Sequence, residues 1–245
     1  MKKSNFQEII DENDIKVAIP RSCHFSIGTS PYHAHQQGLA IDIYQQLGLK
    51  NYDALSPVSG KVLRIRKMQS RKSKHFKGLN VEYLTLIENA ENANVLFKIL
   101  HVKPSVQVGD EVDIGDTLGT TIRNGYFAPW SSPHVHLELR KRQDAVRASG
   151  GMAFSLNREG FRPSKSGRVS RSVNSLAMQI VSKEKTFLLG RLKVDSYHEL
   201  GSIYGIKGMW GSKAVIVDGG IPQYKNGIIH FKADKVPKVE DPLTL

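Results

Sequence analysis

Short apolar runs, many alternating with polar residues, recur along most of this chain, and almost none carry the spacing of a helix face. Leu39 to Tyr44 is a continuous apolar run broken only by Asp42, the pattern of a buried strand. Val62, Arg64 and Arg66 alternate with Leu63 and Ile65 after a Pro57…Gly60 turn signal. Leu79 to Glu88 and Asn94 to Val102 read as two strands joined by a hairpin turn over Asn89 to Ala93. Val106 to Val112 and Ile114 to Gly119 echo one another, each with a Gly-Asp turn, and Pro133 to Leu139 reads as a further strand. From residue 173 strands are again expected at Ser175 to Val181, Thr186 to Val194, Lys213 to Val217 and Gly227 to Lys232. Only the first 20 residues, with a weak stripe of Ile9, Ile10 and Ile15 before Pro20, suggest a short helix or an arm.

These runs divide the chain into an N-terminal arm (1–20), a first β domain (21–145), a basic connection rich in Gly and Ser (146–172) and a β-rich C-terminal region of unassigned role (173–245). A length of 245 residues suffices for a core without covalent staples. One cysteine, Cys23, excludes an internal disulfide framework and a Cys-rich zinc finger. Cys23 adjoins His24, but neighbours in an extended segment point apart, so a structural role is expected. No secretory signal or membrane-length apolar run is visible, which sets the cytoplasm as the default location, with export by another route as the alternative.

The net charge of +12 favours acidic partners. It gathers in Arg64 to Lys77 and in Arg140 to Arg171. Few aromatic residues interleave with either cluster, so nucleic acid is a weak fit and solvated loops account for much of the charge.

The candidate chemistry centres on histidine. In a strand, His134 and His136 share a face, about 7 Å apart. Taken alone, two polar residues on the wet side of an edge strand explain them; their company points to a metal site with a proton-transfer group. His33 and His35 sit upstream, in a loop marked by Ser30-Pro31 and Gly38, and His101 ends the strand that begins near Asn94. Asp42 is the most informative acid, because a carboxylate inside an apolar strand is costly unless paired or bound to a cation. Tyr126, Phe127 and Trp130 precede the His134 strand, where they could line a substrate groove or pack under the loop.

Four pieces in order resemble the M23 zinc metallopeptidases, the lysostaphin-like and LytM-like endopeptidases, across roughly residues 30 to 142. They are His35 with Gly38 and the strand around Asp42; Ser56-Pro-Val-Ser-Gly60-Lys-Val62; His101 followed by the two Gly-Asp turns up to Gly119; and Pro133-His134-Val135-His136-Leu137-Glu138-Leu139. The resemblance implies an all-β, antiparallel sheet or sandwich of the M23, barrel-sandwich-like type. It also implies one Zn²⁺ per chain held by His35, Asp42 and His136, with His101 and His134 as the catalytic histidines. One departure stands out. The family places its first ligand four residues before the aspartate, where this chain has Gly38, so His35, or alternatively His33, must reach the metal from a longer segment.

The implied activity is a zinc-dependent metalloendopeptidase that cuts peptide bonds, glycine-containing ones in family members, in a peptide or peptidoglycan-like substrate. Two imidazoles and a carboxylate suit an open catalytic zinc site. The alternative is an inactive binding module on the same fold, recognising an anionic polymer or peptide. A biotinyl or lipoyl carrier, suggested by the Ser-Pro-Val-Ser-Gly-Lys-Val stretch, lacks a lysine in a tight hairpin and leaves the histidines unexplained.

Overall fold

A computed structural model of the protein describes residues 5–28, 30–45, 52–74, 76–129, 131–156, 164–165, 178–183, 188–192, 196–200, 203–219, 228–231 and 243–244. The protein is all-β, built from antiparallel sheets. Among the described residues no helix is long and apolar enough to cross a membrane. The chain divides into two compact units: residues 1–26 with 39–154, and residues 27–38 with 155–245.

In the first unit, β1 (Phe6–Glu12) and β2 (Ile15–Pro20) form a hairpin where a short helix or arm was expected. Asn13 and Asp14 both adopt positive φ, +52° and +60°, the left-handed conformation of a two-residue hairpin turn that Asn and Asp tolerate. The Ile9, Ile10 and Ile15 stripe is buried by this hairpin rather than by a helix.

A seven-stranded sheet dominates the unit. Its strands are β3 (His24–Ser26), β4 (Ala40–Tyr44), β6 (Gly60–Gln69), β7 (Val81–Asn89), β8 (Val95–Leu100), β10 (Glu111–Val112) and β12 (Val135–Lys141), in the order β10-β6-β7-β8-β12-β4-β3. A smaller sheet orders β5 (Asp53–Leu55), β11 (Thr117–Thr121) and β9 (Val102–Pro104) as β5-β11-β9.

Register fixes what each face of the large sheet carries, because directly opposed residues share a face and successive residues alternate. Ile41 opposes Leu137, which opposes Ile99; Leu139 opposes Phe97, which opposes Ile87, which opposes Val62. All are buried and form the apolar core side, each contributing on the order of 1.5–3 kcal/mol. The other face carries Asp42 opposite His136, and Glu138 opposite Lys98. The polar chemistry of the unit is therefore on one side of one sheet. The two Gly-Asp turns form as expected: Asp110 Oδ2 accepts from Gln107 N and Asp116 Oδ2 from Asp113 N, each at 2.8 Å.

In the second unit, β13 (Ser164–Lys165), β16 (Tyr197–Leu200), β17 (Ile203–Trp210), β18 (Lys213–Asp218) and β19 (Ile228–His230) make a sheet ordered β13-β19-β18-β17-β16, with β20 (Leu243–Thr244) on β17. β14 (Met178–Lys183) and β15 (Leu188–Leu192) pair separately. Trp210, Val215, Val217, Ile229 and Phe231 form the core of this unit. β16 and β17 arise where glycines 201, 205 and 208 obscured the alternation.

Gly60 shows how tightly the large sheet is assembled. It lies between Asn89 of β7 and Val112 of β10, and a Cβ there would collide with the Glu88 backbone carbonyl. Gly60→Ala is expected to destabilise the protein by more than about 2 kcal/mol, seen as a lower urea midpoint at unchanged slope.

Candidate metal centre

β4 and β12 place Asp42 and His136 side by side, His136 Nδ1 standing 2.9 Å from Asp42 Oδ1. His35 comes from α1 (His33–Gln36), a single helical turn where a loop was expected. After His35 the helix continues only through Gln36, and the chain turns before β4 begins at Ala40. Gly38, in the left-handed region at φ +68°, then redirects the chain into β4, with its N–H donated to His35 O at 3.0 Å. His35, Asp42 and His136 are all buried, and each offers one ligand atom within 4.8 Å of the others. His33, on the same turn, is exposed.

The hydrogen bonds behind these side chains suit a metal. His35 Nδ1 donates to the Ile27 carbonyl at 2.7 Å, which fixes the tautomer in which Nε2 carries the lone pair, as metal-bound histidines commonly do. His136 Nε2 is 3.0 Å from Glu138 Oε1. Burial alone would lower His136, but its hydrogen bonds with Asp42 and Glu138 outweigh it and raise its pKa to about 9. Burial would raise Glu138, yet His136, Lys98 and Arg140 together hold it down to about 2.

His134 and His101 flank this group, their rings 5.2 Å apart, with His101 also 5.6 Å from His136. Burial lowers His134 to about 4, more than the nearby Asp42 carboxylate restores. Its 3.4 Å approach to Asp42 is therefore not an ion pair at neutral pH. Its Nδ1 donates to Ser132 O at 2.8 Å, leaving the lone pair on Nε2. His101 adopts φ +67°, a left-handed conformation that is strained for a non-glycine residue. It is held by Glu82, which accepts from His101 Nδ1 at 2.6 Å and from the His101 backbone N–H at 2.9 Å.

Phe127 packs on both rings, 4.7 Å from His101 and 4.8 Å from His134, so it supports the histidines, whereas Tyr126 is exposed beside Arg71. Trp130 lies outside the described residues. Burial pushes the Cys23 thiol up, and His24 stacks on Tyr44, so these two do not form a nucleophile pair.

Glu82, Glu138, Lys98 and Arg140 were not anticipated from the sequence. Lys98, a cation inside the apolar run Val95 to Leu100, is as costly unpaired as Asp42, and Glu138 continues the alternation of His134 and His136. Glu82 carried no such signal, since its partner is 19 residues away.

These features define an all-β protein with a buried His–Asp–His group able to hold a metal ion. The chain belongs to the family described as domain of unknown function (DUF8155) N-terminal domain, which matches residues 15–156. No curated protein matches it. Among solved structures it is similar to the NMR solution structure of lysostaphin, at 13% identity over 91% of this chain and 93% of that one, with a TM-score of 0.32. It is also similar to a crystal structure of the SpoIIIAH and SpoIIQ complex, at 20% identity over 58% and 94% of the two chains, TM-score 0.32. A SpoIIQ-SpoIIIAH pore-forming complex matches at 18% identity over 59% and 68%, TM-score 0.26.

Glu82 makes the site's surroundings pH-sensitive. Burial would raise its carboxyl, but His101, Asn124 and the Tyr83 N–H pull it from 4.5 down to about 2. A depressed carboxylate stabilises the fold above its unfolded pKa, and that stability is lost as pH falls through the folded value. Glu82 should thus contribute at most about 3 kcal/mol, lost between about pH 4.5 and 2. Urea titrations at several pH values should show a steeper acid loss for wild type than for Glu82→Gln, which should also be the less stable protein at pH 7.

Proposed function

We propose that this protein is a zinc-dependent metalloendopeptidase that hydrolyses peptide bonds, with glycine-containing links as its substrate class. The observation that carries this reading is the convergence of His35, Asp42 and His136, one ligand atom each, beside two further histidines. Two imidazole donors, with His136 giving up its extra proton on binding, and a carboxylate are a zinc set that keeps a position open. Bound there, zinc would lower the pKa of a water to about 7 and polarise a carbonyl.

The protein's own groups supply the proton handling. His134 holds its Nδ1–H on Ser132 and is uncharged at neutral pH, so its Nε2 accepts the proton of the attacking water. His101 is braced by Glu82 at Nδ1, and with a proton on Nε2 it donates to the carbonyl oxygen as that oxygen becomes negative; the proton that His134 takes from the water passes to the amine nitrogen as the C–N bond breaks. Phe127 keeps both rings in place and excludes water from one side. Removal of either histidine is expected to lower the rate by roughly 10²–10⁴ with metal retained.

A second reading, an inactive module that binds an anionic polymer or peptide, is favoured by the exposed basic side chains Arg64, Arg66, Lys67, Lys72, Lys74 and Lys77. It requires binding that weakens steeply with salt and no cleavage.

Elemental analysis of purified protein decides the ligand set. About one zinc per chain is expected for wild type and for His33→Ala, and none for His35→Ala or His136→Ala. Wild type that takes up no added zinc, or His136→Ala that still cleaves a glycine-rich peptide, overturns the enzyme reading.

A further inference from the structure

His35 belongs to the second unit, where the C-terminal strands brace the segment that carries it. Asp218 at the end of β18 accepts the Ile27 backbone N–H on Oδ2 at 2.7 Å, and the same oxygen stands 3.1 Å from Nε2 of His230 on β19. The carbonyl of that same Ile27 accepts Nδ1–H of His35 at 2.7 Å. A continuous chain of contacts thus runs His230, Asp218, Ile27, His35. We propose that Asp218 and His230 are positioning residues for the metal ligand His35, and that the C-terminal region contributes to the site by locking the orientation and tautomer of that imidazole. This rests on the zinc reading above.

Two observations separate this from a polar pair that merely fills a core. The first is the way the backbones meet. A Cβ on Gly28 would lie 2.6 Å from the Asp218 carbonyl oxygen and 3.1 Å from Ile228 N, and a Cβ on Gly219 would collide with the Gly28 backbone. Gly219 also has φ +89°, which favours glycine. Glycine at both positions lets the segment that carries Ile27 seat directly on the end of β18, where the Asp218 carboxylate can reach it. The second is the cost of the pair. His230 is buried at 2% exposure, and its Nδ1 has no hydrogen-bond partner among the described residues. Apolar residues of similar volume would fill that space without this penalty. What the pair supplies is direction. The carboxylate, oriented by His230, anchors the Ile27 N–H, and the close seating of Gly28 against Asp218 and Gly219 restrains the following peptide, whose carbonyl selects the His35 tautomer.

The test measures zinc affinity by competition with a chromophoric chelator on the full chain. Asp218→Ala should weaken zinc binding about 10- to 100-fold, the usual effect of removing an outer partner of a metal-bound histidine. Asp218→Asn, which keeps an oxygen acceptor for Ile27 N–H, should retain most of the affinity. Val215→Ala, in the apolar core of the same unit, controls for stability: it should lower the urea midpoint and leave zinc affinity unchanged. In the metal-free protein, ¹⁵N ring shifts of His35 should report a single Nδ1–H tautomer in wild type and a mixture in Asp218→Ala.

Wild type that binds zinc while Asp218→Ala binds it equally well overturns the positioning role and leaves the ligand set standing. Equal loss of zinc in Val215→Ala overturns it too, by reducing the effect to general destabilisation. Wild type that binds no zinc removes the ligand set, and this inference with it.

Discussion

Charge taken out of water must be answered by charge, and one face of the large sheet is organised by that requirement. Arg140 is fully buried, Asp42, Glu138 and Lys98 nearly so. Left unpaired, each would cost several kcal/mol. They are tolerated because Glu138 is shared among His136, Lys98 and Arg140, while Asp42 is answered by His136. Lys98 and Arg140 also donate to the backbone carbonyls of Arg147 and Ser149. The segment after β12 is thereby tied to the floor of the site. A core fixed by size alone would tolerate a one-residue slip of β12 far more readily than this one, in which a slip would bury the same charges against Ile99 and Ile41.

Most of the strand pattern was legible because the strands are short apolar runs bounded by turn residues, some alternating with polar ones. β6 alternates, whereas β4 and β8 are buried runs broken by a single charge, Asp42 and Lys98. The N-terminal hairpin was not legible, since Ile9 and Ile10 are adjacent and both buried across a register shift between Glu8 and Ile10. That irregularity destroys the alternation on which a strand reading depends. β17 was hidden for another reason: its glycines supply no side chain to alternate.

The histidines and Asp42 were legible from residue type and order, and the structure brings His35, Asp42 and His136 within reach of one ion. What surrounds them was not. Glu82 meets His101 through the pairing of β7 with β8, and Asp218 meets Ile27 across 191 residues. Such partners are set by register and backbone approach, which a linear pattern does not encode. His230, unremarkable in sequence, becomes notable only because a buried imidazole sits against a carboxylate that also holds backbone.

The single turn of α1 works as an indexed spacer. Each residue of a helix rotates the next by about 100°, so one residue added to or removed from this turn would swing the imidazole of His35 to a different side, whereas about one whole turn would return it to nearly the same bearing. Lengthening this turn would therefore keep the bearing of the imidazole only in steps of three or four residues. A spacing that looks irregular when counted along the chain becomes orderly when counted in turns.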